Sequence, residues 1–456
     1  MLAPARAADA ARLWDRMALA ARQPGRAVRD TVPPELGPVL ELFDAAGRGS
    51  LTGGPSVPSA GALYPYEFYA VVPGPHGWAV HAVDAARRRC RLVRRGPDVA
   101  DALRDAGLDH LAGPVVVVAL RPWLSMRKYG DRGYLYAQLD AAHVATHLLC
   151  LAAERHRHAE LRTGAAATAL EEVIGLADGC RFAHSALVLR GGTPSPVPGW
   201  SSVDGLGGVA WPEAPSWLER ECWKSVEEHR PVRPAAPGTP VRPHALLAGA
   251  AEPAAGFPGG QSPTSLAARR RSTKDFRPEA LDGATLDRVL AVLRTPLAVD
   301  LPPVAGLSAT LVARNVRGRA PGCYPVRGTG PVCGPESAPV AAAPPEDELL
   351  RACMDQEHLR HAAALVLFHT ARQDLLCHGI DDTLLRAGAL AHLLYLGAAG
   401  EGVAITAIGG FDGPRWRALA GLPGRDEVLY VVLLGGSGGA ALKLDRLQPA
   451  YAHTGR

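Results

Sequence analysis

The sequence predicts an α+β protein made of two similar halves, and three observations lead to this prediction. Apolar residues recur at helical spacing in DAAHVATHLLCLAAE, which starts at Asp140, and in RAGALAHLLYLGAAG, which starts at Arg386. A strand-like run precedes each helix, GPVVVVAL in the first half and AALVLFHT in the second. Another strand-like run follows each helix, SALVLRGG and VLYVVLLGG, so the same order of elements occurs twice.

Further strand-like runs, FYAVVPG and ATLVARN, occupy matching places ahead of these elements. A segment rich in Pro, Gly and Ala, residues 229–264, separates the halves and is typical of a linker. These limits predict a helical extension over residues 1–34, one domain over 35–228 and a second over 265–456. We therefore expect a fused pseudo-dimer within one chain.

The composition limits the kinds of partner that this chain can have. Its 456 residues include 49 Lys and Arg against 45 Asp and Glu, and a formal charge of +4 is too balanced to indicate nucleic acid or an anionic membrane. We find no uninterrupted apolar stretch of about 18 residues and no signal peptide. The eight cysteines are scattered, with no CxxC pair, which fits a reducing compartment. A cytoplasmic protein is the expectation.

Three short motifs offer groups that could bind a ligand, and each also has an ordinary structural explanation. RRSTKDF, residues 270–276, offers Arg forks and a hydroxyl that suit a phosphate, although a solvated charge run looks the same. ITAIGGFDG, residues 405–413, allows close backbone approach at its paired glycines, or is a plain turn before a helix. VPSAGALYP, residues 57–65, offers donors and acceptors without bulk around Ser59, or is a loop entering a strand.

A fourth motif, MRKYGDRGYLYAQLDAAH, puts Lys128 and Tyr129 side by side just ahead of the long helix of the first half. Such a pair can transfer protons when desolvation or neighbouring cations lower its pKa values. A basic surface turn with one anchoring tyrosine is the alternative. The same offset in the second half gives Asp374 and Leu375, so the repeat predicts one functional site per chain.

Several common cofactor and catalytic motifs are missing from the sequence. No GxGxxG follows a strand and opens a helix, and neither a P-loop nor HExxH occurs. His143 and His147 share a helix face at i, i+4 spacing and could in principle hold a metal. Because no third candidate ligand is near them in sequence, we expect packing or hydrogen bonding there and predict no metal site.

Together and in this order, these motifs resemble the FMN-dependent nitroreductase superfamily over roughly residues 35–225 and 264–450. RRSTKDF resembles its phosphate-binding signature, and PSAGALYP resembles the segment that lies against the flavin from the partner subunit. AIGGFDG resembles the turn that meets the flavin ring near N5, and LKLDRLQP is similar to the closing basic segment. The resemblance implies two fused nitroreductase-like domains, each with a mixed, mainly antiparallel sheet and long flanking helices, and FMN as cofactor.

Within that superfamily, PSAGALYPYEFY and RKYGDRGYLYAQLDAAH resemble the SagB-type azoline dehydrogenases. Those enzymes aromatise thiazolines and oxazolines in ribosomally made peptide natural products, and a Lys-Tyr pair is their catalytic signature. The resemblance therefore implies that Lys128 and Tyr129 are catalytic, with hydride passing to FMN and dioxygen as reoxidant. It also implies an azoline-containing precursor peptide as substrate, with a cyclodehydratase and a leader-peptide-binding protein as partners.

The binding residues of the resembling enzymes transfer to this chain where the motifs match. The resemblance implies phosphate and ribityl contacts for Arg270, Arg271, Ser272 and Lys274. It implies partner-side ring contacts for Pro58, Ser59, Ala60 and Ala62, and N5-side contacts for Gly409 and Gly410. Lys443 and Arg446 match the closing basic pair, with a spacing one residue longer than usual. The first half lacks both the RRS signature and the IGG turn, so we expect one FMN per chain.

Other functions stay open on the sequence. A general NAD(P)H-dependent flavin reductase acting on nitroaromatics or quinones would use the same fold and FMN site. A flavin-free scaffold subunit of a peptide-modifying complex would fit Ser56, which stands where the resembling enzymes often have Arg. A dehydrogenase acting on another amide or amine, and the preference for thiazoline or oxazoline, stay open as well.

Overall fold

The structure, a computed structural model, describes residues 28–29, 31–47, 56–108, 113–155, 158–163, 167–176, 181–191, 193–203, 241, 243–247, 260–301, 306–329, 332–335 and 338–437. By its contacts the chain divides into two units. Unit 1 takes its described residues from 1–44, 65–137 and 157–239, and unit 2 takes them from 45–64, 138–156 and 240–456.

Both units are discontinuous in sequence, whereas the sequence predicts contiguous domains. The described residues of 45–64 and 138–156 precede the predicted linker but belong to unit 2. Their contacts place them there: the side chain of Gln138, for example, donates to Asp381 at 2.8 Å. Most of the predicted linker and residues 1–27 of the predicted helical extension lie outside the described residues.

Unit 1 contains an eight-stranded sheet. In chain order its strands are β1 (Val28–Arg29), β2 (Tyr66–Gly74), β3 (Gly77–Asp84), β4 (Arg89–Arg95), β5 (Val115–Leu120), β6 (His158–Arg162), β7 (Phe182–Arg190) and β8 (Ser201–Val203). Their spatial order is β1–β8–β4–β3–β2–β5–β7–β6. The β4–β8 pair is parallel and the other described pairs of this sheet are antiparallel.

The described helices that begin in unit 1 are α1 (Gly37–Gly47), α2 (Pro97–Asp105), α3 (Trp123–Tyr129), α4 (Arg132–Glu154) and α5 (Ala167–Ile174). Residues 138–154 of α4 belong to unit 2. The core of unit 1 forms because alternate strand residues, such as Val71 and Val117, share one face of the sheet. These residues pack with Leu103 of α2 and Val173 of α5.

Unit 2 contains a seven-stranded sheet and two short strand pairs. Its strands are β9 (Pro243–His244), β10 (Phe276–Arg277), β11 (Leu281–Asp282), β12 (Leu297–Ala298), β13 (Ser308–Ala313), β14 (Val316–Arg317), β15 (Gly322–Thr329), β16 (Val332–Pro335), β17 (Ala364–Ala371), β18 (Ala404–Ile408) and β19 (Asp426–Ser437). The large sheet has the order β10–β19–β17–β13–β15–β16, and β18 also pairs with β19. The short pairs are β11–β14 and β9–β12.

The described helices that begin in unit 2 are α6 (Pro263–Arg269), α7 (Gly283–Ala291), α8 (Glu346–Ala352), α9 (Arg372–His378), α10 (Ile380–Glu401) and α11 (Gly413–Leu419). Side chains of Ser262, Asp282 and Asp412 cap α6, α7 and α11 by accepting hydrogen bonds from the first turn of each. Buried residues of β17 and β19, such as Leu365 and Val431, form the core with α8 and α11.

Small residues let the long helices α4 and α10 touch inside unit 2. A Cβ atom added at Gly388 would lie 2.5 Å from Cβ of Ala142 and 3.1 Å from the carbonyl oxygen of Leu139. Such distances leave no room for a side chain at position 388. The two helices therefore pack closely at this point.

The predicted repeat of elements is confirmed. In unit 1, β5 pairs antiparallel with β2 and β7, and in unit 2, β17 pairs antiparallel with β13 and β19. In the first half, the short helix α3 and then the long helix α4 lie between β5 and β7 in chain order. In the second half, the short helix α9 and then the long helix α10 lie between β17 and β19. The register shifts at Val118/Ala119 of β5 and at Phe368/His369 of β17, so even the irregularity occurs twice.

The structure corrects the residues that match the Lys-Tyr pair in the second half. Helices α3 and α9 each end before a glycine with positive φ, Gly130 at 59° and Gly379 at 90°. Counting back from these glycines aligns Lys128 and Tyr129 with Cys377 and His378, and not with Asp374 and Leu375. The sequence offset, counted from Asp140 and Arg386, was wrong for two reasons: α4 begins eight residues before Asp140 whereas α10 begins six before Arg386, and two residues separate α3 from α4 whereas one separates α9 from α10.

Among the described residues, no helix combines the length and the apolar character that crossing a membrane requires.

Candidate functional site

Unit 2 brings together three of the four sequence motifs. The turn that follows Ser56, the RRSTKDF segment and the ITAIGGFDG segment all belong to this unit, although more than 200 positions separate the first from the second. The Lys-Tyr motif belongs to unit 1. The site in unit 2 and the Lys-Tyr pair are therefore described separately.

The turn after Ser56 has a strained backbone. It contains a 3₁₀ turn at Ala60–Ala62, and φ is positive at Gly61 (61°), Ala62 (55°) and Tyr64 (47°). Glycine adopts this left-handed conformation without penalty, whereas other residues lose roughly 1–2 kcal/mol each. Two strained non-glycine residues so close together indicate that surrounding contacts hold the turn in place.

Asp140 of α4 supplies those contacts. The Ser59 hydroxyl donates to Oδ2 of Asp140 at 2.6 Å, and the amide of Ala60 donates to both carboxylate oxygens at 3.1 Å. Oγ of Ser59 in turn accepts from the amide of Tyr64 at 2.9 Å. Burial raises the pKa of Asp140 to about 7, and the hydrogen bonds from Ser59 and Ala60 act against that rise.

These contacts limit how the turn can serve a ligand. A serine hydroxyl has one proton, and that of Ser59 goes to Asp140. The amide of Ala60 is used in the same way. Pro58 is buried, while Ser59, Ala60, Gly61 and Ala62 are half-buried, so the turn still presents backbone and small side chains at the surface.

Ser56 is a buried residue just ahead of the turn, and its hydrogen bonds connect several parts of the chain. Its hydroxyl donates to the carbonyl oxygen of Ala46 and lies 3.1 Å from Nε2 of His147. Because the single hydroxyl proton goes to Ala46, Nε2 of His147 is the donor in the second bond. The carbonyl oxygen of Ser56 accepts from Nε of Arg270 at 2.6 Å. A guanidinium group therefore reaches this point from the second half of the chain.

Arg270 and Ser272 connect the turn to the end of β18. Nη1 of Arg270 donates to Oγ of Ser272 at 3.3 Å, and its guanidinium lies 5.6 Å from the ring centroid of Tyr395. The Tyr395 hydroxyl lies 3.1 Å from Oγ of Ser272 and accepts from the amide of Ala407 at 2.9 Å. The amide of Thr273 also donates to the carbonyl oxygen of Ile405 at 2.8 Å. The RRSTKDF segment is therefore fixed to β18.

Gly409 and Gly410 follow β18 directly and are half-exposed. Nε2 of Gln356 donates to the carbonyl oxygen of Gly410 at 3.0 Å. Asp412 accepts from the amide of Arg415 at 2.9 Å and so begins α11 immediately after the turn. The two glycines therefore lie directly after β18, the strand that contacts the RRSTKDF segment containing Arg270 and Ser272.

Sequence reasoning missed the role of α4 in this site. Asp140, His147 and Glu154 recur every seven residues along that helix, and Glu154 accepts from the amide of Thr264 at 3.1 Å and from its hydroxyl at 2.6 Å. Glu154 also accepts from the hydroxyl of Ser262. The helix thus holds the turn, Ser56 and the first turn of α6, which leads to Arg270. Polar residues at seven-residue spacing in an apolar helix were the available signal.

Three buried histidines lie under this site. The ring centroid of His392 lies 5.6 Å from that of His143 and 5.2 Å from that of His147. Burial lowers the pKa of His143 and of His147 to about 3 and that of His392 well below its usual value, and the charge of Arg270 acts in the same direction. The three rings are therefore neutral. His143 also lies 3.1 Å from the Tyr430 hydroxyl.

The described part of the chain has no group of three His, Cys, Asp or Glu side chains arranged to hold a metal ion. A cavity of about 380 Å³ also lies in unit 2, lined by Pro278, Arg314, Asn315, Pro321, Ala343, Pro344, Glu346, Arg360, His361 and Ala362. None of the residues that the motifs predict for the site lines this cavity.

Lys128 and Tyr129 form the last turn of α3 in unit 1, and both side chains are buried. Nζ of Lys128 lies 5.6 Å from the ring centroid of Tyr129, and the ring of Tyr136 meets that of Tyr129 edge-on at 4.9 Å. A Cβ atom at Gly133 would lie 2.4 Å from the amide nitrogen of Met126, so α3 and α4 touch there. This burial does not fit a basic surface turn.

The remaining predicted residues have less definite surroundings. Arg271 and Lys274 are half-exposed beside the segment that contacts β18. Lys443 and Arg446 lie outside the described residues, so their predicted role as a closing basic pair stays a prediction.

Comparison with known proteins shows what the chain is similar to. Residues 267–436 match the model of the nitroreductase family. A candidate nitroreductase of Methanocaldococcus jannaschii is 33% identical over 116 residues, which cover 24% of this chain and 59% of that protein. The chain thus spans about 59% of the length of this relative.

Similarity to solved structures extends over both halves. The crystal structure of a candidate nitroreductase from Anabaena variabilis covers 91% of this chain and 93% of its own, with a TM-score of 0.65 at 18% identity. The E. coli microcin synthetase complex with a truncated precursor bound covers 38% of this chain and 70% of its own at 15% identity. Its TM-score of 0.32 is too low to indicate a shared fold. The predicted α+β fold is therefore confirmed: the chain has a nitroreductase-like fold, and residues 267–436 match the nitroreductase-family model.

Proposed function

We propose that this chain is an FMN-dependent oxidoreductase that dehydrogenates azoline rings in a ribosomally made peptide. The hydrogen bond from Arg270 to Ser56 carries the flavin part of the proposal. It joins the turn after Ser56 to the RRSTKDF segment, which in turn is fixed to β18, the strand directly before Gly409 and Gly410. Three motifs that resemble flavin-binding segments thus meet in one unit of a nitroreductase fold.

The residues present fit FMN. Half-exposed Arg270, Arg271 and Lys274, with the Ser272 hydroxyl, offer cations and a donor for a phosphate. The half-exposed glycine turn after β18 allows the backbone to approach a flat ring closely. Bound FMN would supply the hydride acceptor for the reaction, while the protein orients the reacting groups.

Lys128 and Tyr129 are proposed as the proton-transferring groups. Conversion of a thiazoline to a thiazole removes one proton from the ring Cα and one hydride from Cβ, so the protein must hold the proton. The amine of Lys128 or the phenolic oxygen of Tyr129 would accept it or position its acceptor. Burial of both side chains supports this role because it keeps competing water away. Dioxygen is the proposed final oxidant.

The proposal includes partners that follow from its substrate. An azoline exists only after a cyclodehydratase has closed the ring on a precursor peptide, and a leader-peptide-binding protein would deliver that peptide. Residues 1–34 and 229–264 are the proposed docking segments. We also propose one FMN per chain, in a cytoplasmic enzyme.

A general NAD(P)H-dependent nitroreductase or quinone reductase is the alternative, and the match of residues 267–436 to the nitroreductase family favours it equally. The discriminating experiment compares NADPH plus a nitroaromatic with a thiazoline peptide. Loss of two hydrogens per ring from the peptide supports the proposal. NADPH-dependent reduction with an unchanged peptide supports the alternative, and a colourless protein that binds no FMN supports a flavin-free scaffold.

A further inference from the structure

We propose that Asp140 is a positioning residue for the flavin: its carboxylate holds the turn of residues 59–64 in the one shape that receives the ring. This inference rests on the proposed function, because it assigns a cause to the shape of one wall of the proposed FMN site. Asp140 itself is 3% exposed and lies beneath the turn, so it acts through the turn and not by touching the ligand.

The backbone of the turn requires an external hold. Ala62 and Tyr64 both have φ near 50°, where their Cβ atoms crowd the backbone. A free loop of this sequence would relax toward negative φ. Local hydrogen bonds exist, from the amide of Ala62 to the carbonyl oxygen of Ser59 at 3.0 Å and from that of Leu63 to Ala60 at 3.3 Å, but they span only three residues. They cannot tie the turn to the rest of the protein.

Asp140 provides the tie at both ends of the strained stretch. At the start, it accepts from the Ser59 hydroxyl and from the amide of Ala60. At the end, it acts through Ser59, whose oxygen accepts from the amide of Tyr64. Tyr64 is therefore linked to the carboxylate by a continuous chain of hydrogen bonds through Oγ of Ser59, and Ala62 lies between Ala60 and Tyr64, the two residues that are tied in this way.

The helix that carries Asp140 cannot easily move. Its neighbours Leu139 and Ala142 lie against Gly388 of α10, at distances that leave no room for a Cβ atom. One heptad further on, His147 of the same helix bonds to Ser56, which precedes the turn. The turn is thus fixed to a rigid backing at Ser56, at Ser59 and at Ala60.

The test compares Asp140→Ala and Asp140→Asn with a matched control, Asp282→Ala. Asp282 accepts from the amide and the hydroxyl of Thr285 at 3.0 and 3.1 Å, which is the same chemistry at the start of α7, away from the proposed flavin site. Amide exchange of the peptide covering residues 57–66 is measured in the flavin-free proteins. The dissociation constant of FMN is then measured by quenching of flavin fluorescence.

Asp140→Ala is expected to speed exchange of the 57–66 peptide and to weaken FMN binding at least about tenfold, since hydrogen bonds to a carboxylate are strong. Asp140→Asn is expected to act in the same direction with a smaller effect, and Asp282→Ala to change neither quantity more than about twofold. Unchanged exchange, or faster exchange with unchanged FMN affinity, overturns the inference. Failure of the unsubstituted protein to bind FMN overturns the proposed function instead. The two failures are distinguishable because this one is seen in the unsubstituted protein, without any variant.

Ser59→Ala keeps the test decisive if the Asp140 variants do not fold. It removes the hydroxyl that links the carboxylate to Tyr64 and leaves the helix untouched. Exchange of the 57–66 peptide is expected to become faster and FMN affinity to fall, because the chain of hydrogen bonds from Asp140 to Tyr64 is broken. Unchanged exchange of that peptide in Ser59→Ala would contradict the inference.

Discussion

Nε of Arg270 donates a hydrogen bond to the carbonyl oxygen of Ser56 at 2.6 Å, across 214 positions of sequence. Arg270 begins the RRSTKDF segment, and Ser56 begins the turn that resembles a flavin-contacting segment. Position 56 departs from the resembling enzymes, which often have Arg there. The structure gives Ser56 a buried role and brings the guanidinium of Arg270 to its carbonyl oxygen.

The first prediction concerns Arg270. Replacement by Ala removes the bond to Ser56, the bond to Ser272 and the contact with the Tyr395 ring. FMN affinity is expected to fall about tenfold or more, because hydrogen bonds from charged donors contribute about 1.5–3 kcal/mol each. Flavin retained through gel filtration measures this loss.

Arg288→Ala serves as the control for this prediction. Arg288 pairs with the carboxylate of Glu401 at 2.8 Å, but it is more than half exposed, so its pair contributes little to stability. This variant is expected to keep its flavin. Equal retention of flavin by the Arg270 and Arg288 variants would remove Arg270 from the proposed site.

The second prediction concerns the Lys-Tyr pair. Lys128→Ala and Tyr129→Phe are expected to keep bound FMN but to lose turnover of a thiazoline peptide by about 10²-fold or more, the usual contribution of a proton-transferring side chain. Arg127→Ala, next in sequence and exposed, is the matched control and should keep its activity. Aromatisation at the unsubstituted rate by both variants would show that neither residue is catalytic.

The third prediction concerns the contact between α4 and α10. Gly388→Ala places a Cβ atom 2.5 Å from that of Ala142, so the helices must separate, at an expected cost of about 1–3 kcal/mol in the free energy of unfolding. Adding Ala142→Gly removes the opposing atom and is expected to recover part of that loss. Urea unfolding measures both variants. If Ala142→Gly only adds its own cost, the helices do not touch as described.

The fourth prediction concerns acid stability. Burial lowers the pKa of His143 and His147 to about 3, against 6.5 as the ordinary value. The unfolded chain therefore binds more protons between these values, and stability is lost as pH falls from about 6.5 toward 3. The slope approaches about 1.4 kcal/mol per pH unit for each histidine. Asp140 acts in the opposite sense, since its raised pKa of about 7 favours the folded state at lower pH.

Burial also lowers the pKa of His392 well below its ordinary value, so His392→Leu tests whether these buried rings contribute to acid unfolding. Neither ring nitrogen of His392 has a hydrogen-bond partner among the described residues, so an apolar side chain of similar size removes a titrating group without breaking a bond. Urea unfolding between pH 7.5 and about 4.5 should show a shallower loss of stability for this variant. Identical pH dependence of the two proteins would mean that His392 does not contribute to acid unfolding.

Much of the fold was predictable because the two halves repeat one hydrophobic pattern. The runs GPVVVVAL and AALVLFHT are buried on both faces of their strands, and such strands read as continuous apolar segments. The long helices were predictable from helical spacing in the same way. The boundaries of the units were not, because contacts with distant residues place the described residues of 45–64 and 138–156 in unit 2.

The motifs of the candidate site could be predicted from the sequence, but the hydrogen bonds that connect them could not. RRSTKDF, PSAGALYP and AIGGFDG could be found in the sequence because each combines small residues or charges in a short run. The hold of Asp140 on Ser59 could not, since nothing local to either residue indicates that the other lies within 2.6 Å. The equivalence of Lys128 with Cys377 likewise depends on the length of a turn between helices.

Anaerobic mixing of the FMN-loaded protein with a thiazoline-containing peptide tests the central proposal most directly. The account predicts that the visible flavin absorbance is lost as each ring loses two hydrogens, and that admitting dioxygen restores the absorbance. Unchanged absorbance and unchanged peptide mass, in a protein whose flavin is reduced by NADPH, would contradict it.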